Sequence, residues 1–184
     1  MLLDSLTENQ RYRLYSLPYR VGVYISESDD AGGEAANENE QRAIENLIHG
    51  FSDGVFGSEL VQNIMAMTIE YKNQWSAWGE NIENVPDECR DALAILSGVV
   101  DFKERSAYAT RIMEIGEAVA LAFREVEDVS FIGNLKLRVD HFKACQRAKT
   151  QGLPARSFDD YLAISKEERA ALYKLSRALG VDYA

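Results

Sequence analysis

The sequence predicts an all-α fold, a compact bundle of about eight or nine helices. Three observations point there: apolar residues recur at the 3.6-residue period in one segment after another, helix caps are frequent, and the signals of strands are scarce. Only three prolines occur in 184 residues, there is no Asn-Gly turn, and β-branched runs are few. A chain of this length fits a single helical domain over residues 1–184, able to bury roughly 70% of the surface its unfolded form exposes.

Each element has its own warrant. A first helix is expected over about 5–16, stopping before Pro18 because a proline pushes the preceding residue out of the α region. A second, about 18–28, carries Val21, Tyr24, Ile25 and Ser28 at helical spacing and runs into the acidic loop Asp29-Asp30-Ala31-Gly32-Gly33-Glu34. Asn37 with Glu40 makes a capping pair for a third helix, with Ile44, Leu47, Ile48 and Phe51 on its apolar face and Gly50 and Gly54 at its end. Leu60, Val61, Ile64, Met65 and Ile69 predict a helix from about Ser58 to Trp78. Pro86 suits the first turn of a fifth helix reaching about Val100.

The central helix is expected over about Lys103–Val126. Tyr108, Ile112, Ile115, Val119, Phe123 and Val126 form its stripe, and Gly116, Ala118, Ala120 and Ala122 permit close approach from other sides. Further helices follow near 134–149 and 158–163. The last spans about Ser165–Leu179, opened by the box Ser165-Lys166-Glu167-Glu168 and stopped by Gly180.

Composition narrows the function classes. Twenty basic against thirty acidic side chains give a net charge of −10, which repels nucleic acid and anionic lipid. No apolar run approaches the roughly 20 residues of a membrane span. The N-terminus carries neither a basic lead nor a long apolar core, so the expected location is the cytoplasm. Cys89 and Cys145 stand far apart and read as buried, reduced thiols rather than a disulfide or a zinc site.

No nucleophile elbow, phosphate loop or Glu-x-x-His pair is present. Gly50, Gly54 and Gly57 fit a helix connection, and His49, with Glu45 one turn before it, fits an ordinary surface contact. Residues 27–45 carry seven acidic side chains and one basic one, Arg42, a composition that suits a hard cation or an acidic loop beside a helix N-terminus. The spacing is not that of an EF-hand, because Ala31 and Gly33 occupy two of its ligand places. Lys136, Arg138, Lys143, Arg147 and Lys149 form a basic stretch that could receive an acidic partner, including a second copy of the chain. Trp75 and Trp78, with Tyr71, suit either the core or an interface anchor.

The pattern also repeats within the chain. Laying Asn37 on Ser165 places Glu40 on Glu168, Ala43 on Ala171, Ile44 on Leu172 and Leu47 on Leu175. Val23–Asp30 and Leu121–Asp128 are each an apolar helix running into acidic residues. On these residues, mainly 18–51 and 108–184, the chain resembles the tellurite-resistance TerB-like helical family, built on a pseudo-repeat of helix, acidic turn and capped helix. The resemblance implies a divalent cation, calcium or magnesium, held at the acidic junctions by Asp29, Asp30, Glu40, Asp128 and Glu168. The second copy departs from the family pattern by placing more than thirty residues between its halves.

The expected function is that of a non-enzymatic accessory or stress-response protein acting through protein contacts, with a protein partner or as a homodimer. Two alternatives stand beside it. One is an enzyme with a carboxylate site in the core, for which Glu114, Glu117 or Glu125 would point inward. The other is a module that dimerises through an apolar patch around Trp75 and Trp78.

Overall fold

The computed structural model describes residues 3–28, 34–52, 57–122 and 166–183, with side chains from residue 42 in the second segment and from residue 167 in the last. The described residues are helical throughout, without a strand. The elements are α1 (Glu8–Ser26), α2 (Glu34–Ser52), α3 (Glu59–Glu70), a 3-10 turn leading into the short α4 (Trp75–Trp78), a second 3-10 turn (Ile82–Asn84), α5 (Val85–Ser97), α6 (Phe102–Ala122) and α7 (Lys166–Leu179). The helices expected near 134–149 and 158–163 lie outside the described residues.

The first correction concerns α1. The two helices expected on either side of Pro18 are one helix, with Pro18 inside it. Its start is fixed by a capping box: the Thr7 hydroxyl accepts from the Gln10 amide at 3.2 Å, and the Gln10 side-chain oxygen accepts from the Thr7 amide at 2.9 Å. Pro18 has no N–H to give the carbonyl four residues back, and its ring crowds that carbonyl, a defect that ordinarily costs about 3 kcal/mol. Here the carbonyl belongs to Leu14, and the Tyr108 hydroxyl of α6 donates to it at 3.2 Å inside the core. The next carbonyl, that of Tyr15, lies 2.7 Å from the Thr68 hydroxyl of α3, which also reaches the Ile64 carbonyl at 2.9 Å. Two distant side chains thus hydrogen-bond the interrupted turn, and the helix continues.

The helix expected over 58–78 is broken instead. Ser58, near the expected start, caps α3 with its hydroxyl accepting from the Val61 amide at 3.1 Å, but α3 ends at Glu70. There the indole N–H of Trp75 folds back onto the Thr68 carbonyl at 2.9 Å, filling an acceptor of the last helical turn. Trp75 stacks on Tyr19 with ring centroids 4.7 Å apart, and the Trp78 indole donates to the Tyr12 hydroxyl at 2.5 Å. Trp75 and Trp78 are only 2% and 3% exposed, so neither ring itself forms an apolar surface patch. Both rings belong to the core.

Another correction applies to α2. It begins at Glu34, three residues before Asn37, so Asn37 and Glu40 sit within the helix rather than capping it, and Gly50 is also helical. Gly57, at φ +103°, sits just before the Ser58 cap. α5 has Pro86 in its first turn, and α7 stops at Gly180, whose φ of +63° lets the Val181 amide reach the Ser176 carbonyl at 3.1 Å.

α6 packs against α1, α2, α3, α5 and α7, with Tyr108, Ile112, Ile115 and Val119 buried. Two glycines set the closest approaches. A Cβ at Gly22 would stand 2.8 Å from Ile44 of α2. One at Gly116 would meet Leu172 and Leu175 of α7 and Val21 of α1 at 3.3–3.5 Å. The sequence pairs Ala43/Ala171, Ile44/Leu172 and Leu47/Leu175 are all buried.

Tyr108→Phe leaves the Leu14 carbonyl buried without its donor and is expected to destabilise by about 1–3 kcal/mol. In a Pro18→Ala background the restored N–H can take that carbonyl, so the same substitution should cost clearly less; equal losses in a double-mutant cycle of urea unfolding would refute the account. Burial holds the Tyr108 hydroxyl well above its ordinary value of 10.0. Its contribution to stability is therefore complete below about pH 10 and lost as pH rises toward the folded value. Wild type should lose stability above pH 10 more steeply than Tyr108→Phe, as followed by thermal melts.

Candidate functional site

Of the five acidic residues expected to hold a cation, Asp29, Asp30 and Asp128 lie outside the described residues. Glu40 is on α2, with its side chain outside them. Glu168 is on the inward face of α7 and is 3% exposed. No group of three or more His, Cys, Asp or Glu side chains suited to a metal ion occurs among the described residues. Nothing described brings any two of the five together.

The inward carboxylate expected by the enzyme alternative has one described counterpart. Glu114 of α6 is buried, Glu117 is half-buried, and Glu125 lies outside the described residues. Glu114 is matched by charge: Arg111, one turn earlier, places Nη1 3.2 Å from its carboxylate. The same guanidinium lies 5.1 Å from the ring centroid of Phe51, joining α6 to α2 through a cation–π contact. Arg111 Nε is buried without a hydrogen-bond acceptor. The arrangement is a partly desolvated ion pair on an aromatic face, and it serves the α2–α6 contact.

Two further charged groups do structural work that the sequence reading missed. Arg20 of α1 uses all five N–H donors. Nε and Nη2 take both oxygens of Glu88 on α5 at 2.7 and 2.9 Å. Nη1 donates to the carbonyls of Trp78 at 2.5 Å and Glu80 at 3.0 Å, and Nη2 to that of Asn81 at 2.9 Å. This fixes a turn in which Asn81 is left-handed at φ 52°. A lone arginine in the apolar run Tyr19-Arg20-Val21 was the available signal. Glu104 of α6 reaches the N-terminus of α3, accepting from the Ser58 hydroxyl at 2.7 Å and the Leu60 amide at 3.0 Å. An anion is favoured there by the exposed N–H groups and the helix dipole.

Of the remaining candidates, Cys89 is a buried free thiol whose acidity burial suppresses, as expected of an inert cysteine. His49 is exposed, and Glu45 pairs with Lys72 at 2.8 Å. Cys145, His141 and the basic stretch 136–149 lie outside the described residues.

Among the described residues, Tyr12, Phe102 and Tyr173 are the large hydrophobic side chains left exposed, and Tyr173 lies on the outer face of α7. Ala171, Leu172, Leu175, Ala178 and Leu179 face the core. Arg169, Tyr173 and Arg177 are exposed at four-residue spacing, with Lys174 beside them. Tyr173 is 58% exposed. Arg169, Lys174 and Arg177 make no ion pair with a described residue. In a chain of net charge −10 these three cations stand around an exposed aromatic ring on a helix whose first turn also exposes Glu167.

No protein-family model, curated protein or solved structure matches the chain.

Removing Arg111 alone leaves Glu114 in a site built for its partner. Arg111→Met is expected to destabilise by about 3 kcal/mol, the lower end for breaking a buried pair. The double substitution Arg111→Met/Glu114→Leu should recover most of that loss, measured by urea unfolding. A double variant as unstable as the single one would show that the pair is more than mutual neutralisation.

Proposed function

We propose that the chain is a non-enzymatic helical accessory protein that acts through protein contacts, of the TerB-like type to which its repeated pattern is similar. The observation that carries the contact reading is the outer ridge of α7. Arginine and tyrosine are the residue types that most often anchor interfaces, because each combines a large flat surface with directional hydrogen bonds. Here Arg169 and Arg177 make no ion pair with a described residue and Tyr173 is exposed, on a helix whose other face is fixed in the core. The burial of the three paired positions on α2 and α7 supports the repeat without identifying the family.

A divalent cation, calcium or magnesium, is the second part of this reading. Asp29, Asp30, Glu40, Asp128 and Glu168 would supply the hard oxygen donors such ions take. It rests on the acidic pattern of the sequence. Glu168, the one member whose side chain is described, is a carboxylate held inside the fold.

The contact reading is tested by placing a photo-crosslinking benzoylphenylalanine at position 173 in cells, with exposed position 59 on α3 as control. Protein adducts are expected at 173 and not at 59; absence of adducts at 173 removes the reading. The cation is tested by thermal melts. Calcium or magnesium at about 100 times its dissociation constant should stabilise by about 2.7 kcal/mol, and Asp29→Asn/Asp30→Asn should abolish the gain. A melting curve unmoved by either ion removes the metal.

A further inference from the structure

Resting on the contact reading above, we infer that the outer face of α7 docks an acidic, amphipathic helix of a partner protein. Two observations carry it. Two of the three exposed rings are already engaged within the molecule, and the third stands among cations without partners.

The Tyr12 hydroxyl accepts from the Trp78 indole, and its ring meets those of Tyr71 and Trp78 edge-on. Its neighbour Arg13 lies 3.5 Å from Asp91. At the start of α6 the Arg105 guanidinium lies 5.7 Å from the Phe102 ring centroid. Asp101, Lys103, Glu104 and Arg105 stand together there, so the charges balance locally. Tyr173 is different. Its ring and hydroxyl have no partner among the described residues, and neither do the charged groups of Arg169, Lys174 and Arg177. One exposed carboxylate, Glu167, stands against these three cations.

The spacing of these residues sets the shape of the occupant. Arg169, Tyr173 and Arg177 form one row at four-residue spacing, and Ala170 and Lys174 form the row beside it, all of them exposed. The furrow between two such rows is what the side-chain ridge of a second helix fills, and at Ala170 only a methyl group borders it. The opposite face of α7 is buried against α1, α5 and α6, so both rows are held on a fixed backbone, which lowers the ordering cost of binding. Carboxylates at four-residue intervals on the partner helix can take the two guanidinium forks, while an apolar residue between them covers the Tyr173 ring.

Nucleic acid is the other chemistry that three cations attract. A duplex brings one charge about every 1.7 Å, and most of that charge faces the rest of a chain whose net charge is −10. A helix with a few carboxylates brings the attraction without the excess. The sign of the contact is therefore met at less repulsion by an acidic helix than by a polyanion.

An NMR amide-shift titration of the full chain tests this. The probe is a synthetic peptide of about 20 residues, alanine and leucine with glutamate at four-residue intervals, long enough to form a helix alone. At about 50 mM salt, saturating shifts are expected within residues 169–177, with a dissociation constant of about 1 mM or below, weakening several-fold at about 200 mM salt. Arg169→Glu/Arg177→Glu should weaken binding by about ten-fold or more, and the milder Arg169→Ala/Arg177→Ala by about three-fold or more. Lys103→Glu/Arg105→Glu changes the net charge by as much as the first variant does and should leave the affinity as it is. Unchanged melting temperatures would show the variants folded.

No saturating shift up to about 1 mM peptide, shifts centred away from α7, an equal loss in the Lys103→Glu/Arg105→Glu variant, or tighter binding of an oligonucleotide of the same charge overturns the proposal. Any of these together with crosslinked adducts at position 173 leaves the contact reading standing with a partner of other chemistry. Absence of both peptide binding and adducts removes both.

Discussion

The fold turns on one backbone carbonyl, that of Leu14, which α1 cannot satisfy by itself, and on its neighbour at Tyr15, which takes a further bond from outside the helix. Pro18 withholds the amide that Leu14 would use and crowds the turn before it. In a buried helix no water is at hand to substitute. Tyr108 and Thr68 supply hydroxyl protons from α6 and α3, 94 and 53 residues away in sequence. The turn of α1 interrupted by Pro18 is thus hydrogen-bonded by its neighbours. Local and tertiary structure are coupled at this point: the same hydroxyls that complete α1 also fix where α3 and α6 lie against it. Trp75 extends the arrangement by taking the Thr68 carbonyl, so that the end of α3, the short α4 and the middle of α1 share one hydrogen-bonded knot.

Around that knot, packing follows from missing side chains as much as from large ones. Gly22 and Gly116 bring α2 onto α1 and α7 onto α6 closer than any residue with a Cβ would permit without displacement. The chain's charge is handled in the same economical way. Arg20, Glu104 and Arg111 are each committed to internal partners, whereas the cations of α7 are not. On α7 these cations stand beside an exposed ring, as Lys103 and Arg105 do beside Phe102 at the start of α6.

Much of the fold could be read from the sequence where local rules act alone. Ser58, Pro86 and Gly180 mark helix ends because caps, first-turn prolines and left-handed stops depend on a few adjacent residues. The stripe of α6 followed from period alone. The errors fall where a distant group intervenes. Pro18 reads as a boundary until Tyr108 and Thr68 are placed beside it, and Trp75 reads as helix continuation until its indole is seen to turn back. Asn37 had the composition of a cap, but the helix gains another turn before it. The site was less legible. Its proposed acidic members fall largely outside the described residues, while the α7 ridge carries no motif and emerges only once the opposite face is known to be buried. Glu114 is buried, and no spacing rule announced that Arg111 would pair with it over Phe51.

The Arg20 clamp has an evolutionary corollary. It grips the turn after α4 by main-chain oxygens that every amino acid possesses, and only Glu88 among its contacts is a side chain. Glu80 can therefore be exchanged for almost any residue without loosening the grip, and Asn81 for any that tolerates a left-handed backbone. The charge on this rim of the molecule is free to drift while the skeleton beneath it stays the same, which would let related chains choose different companions on an unchanged frame.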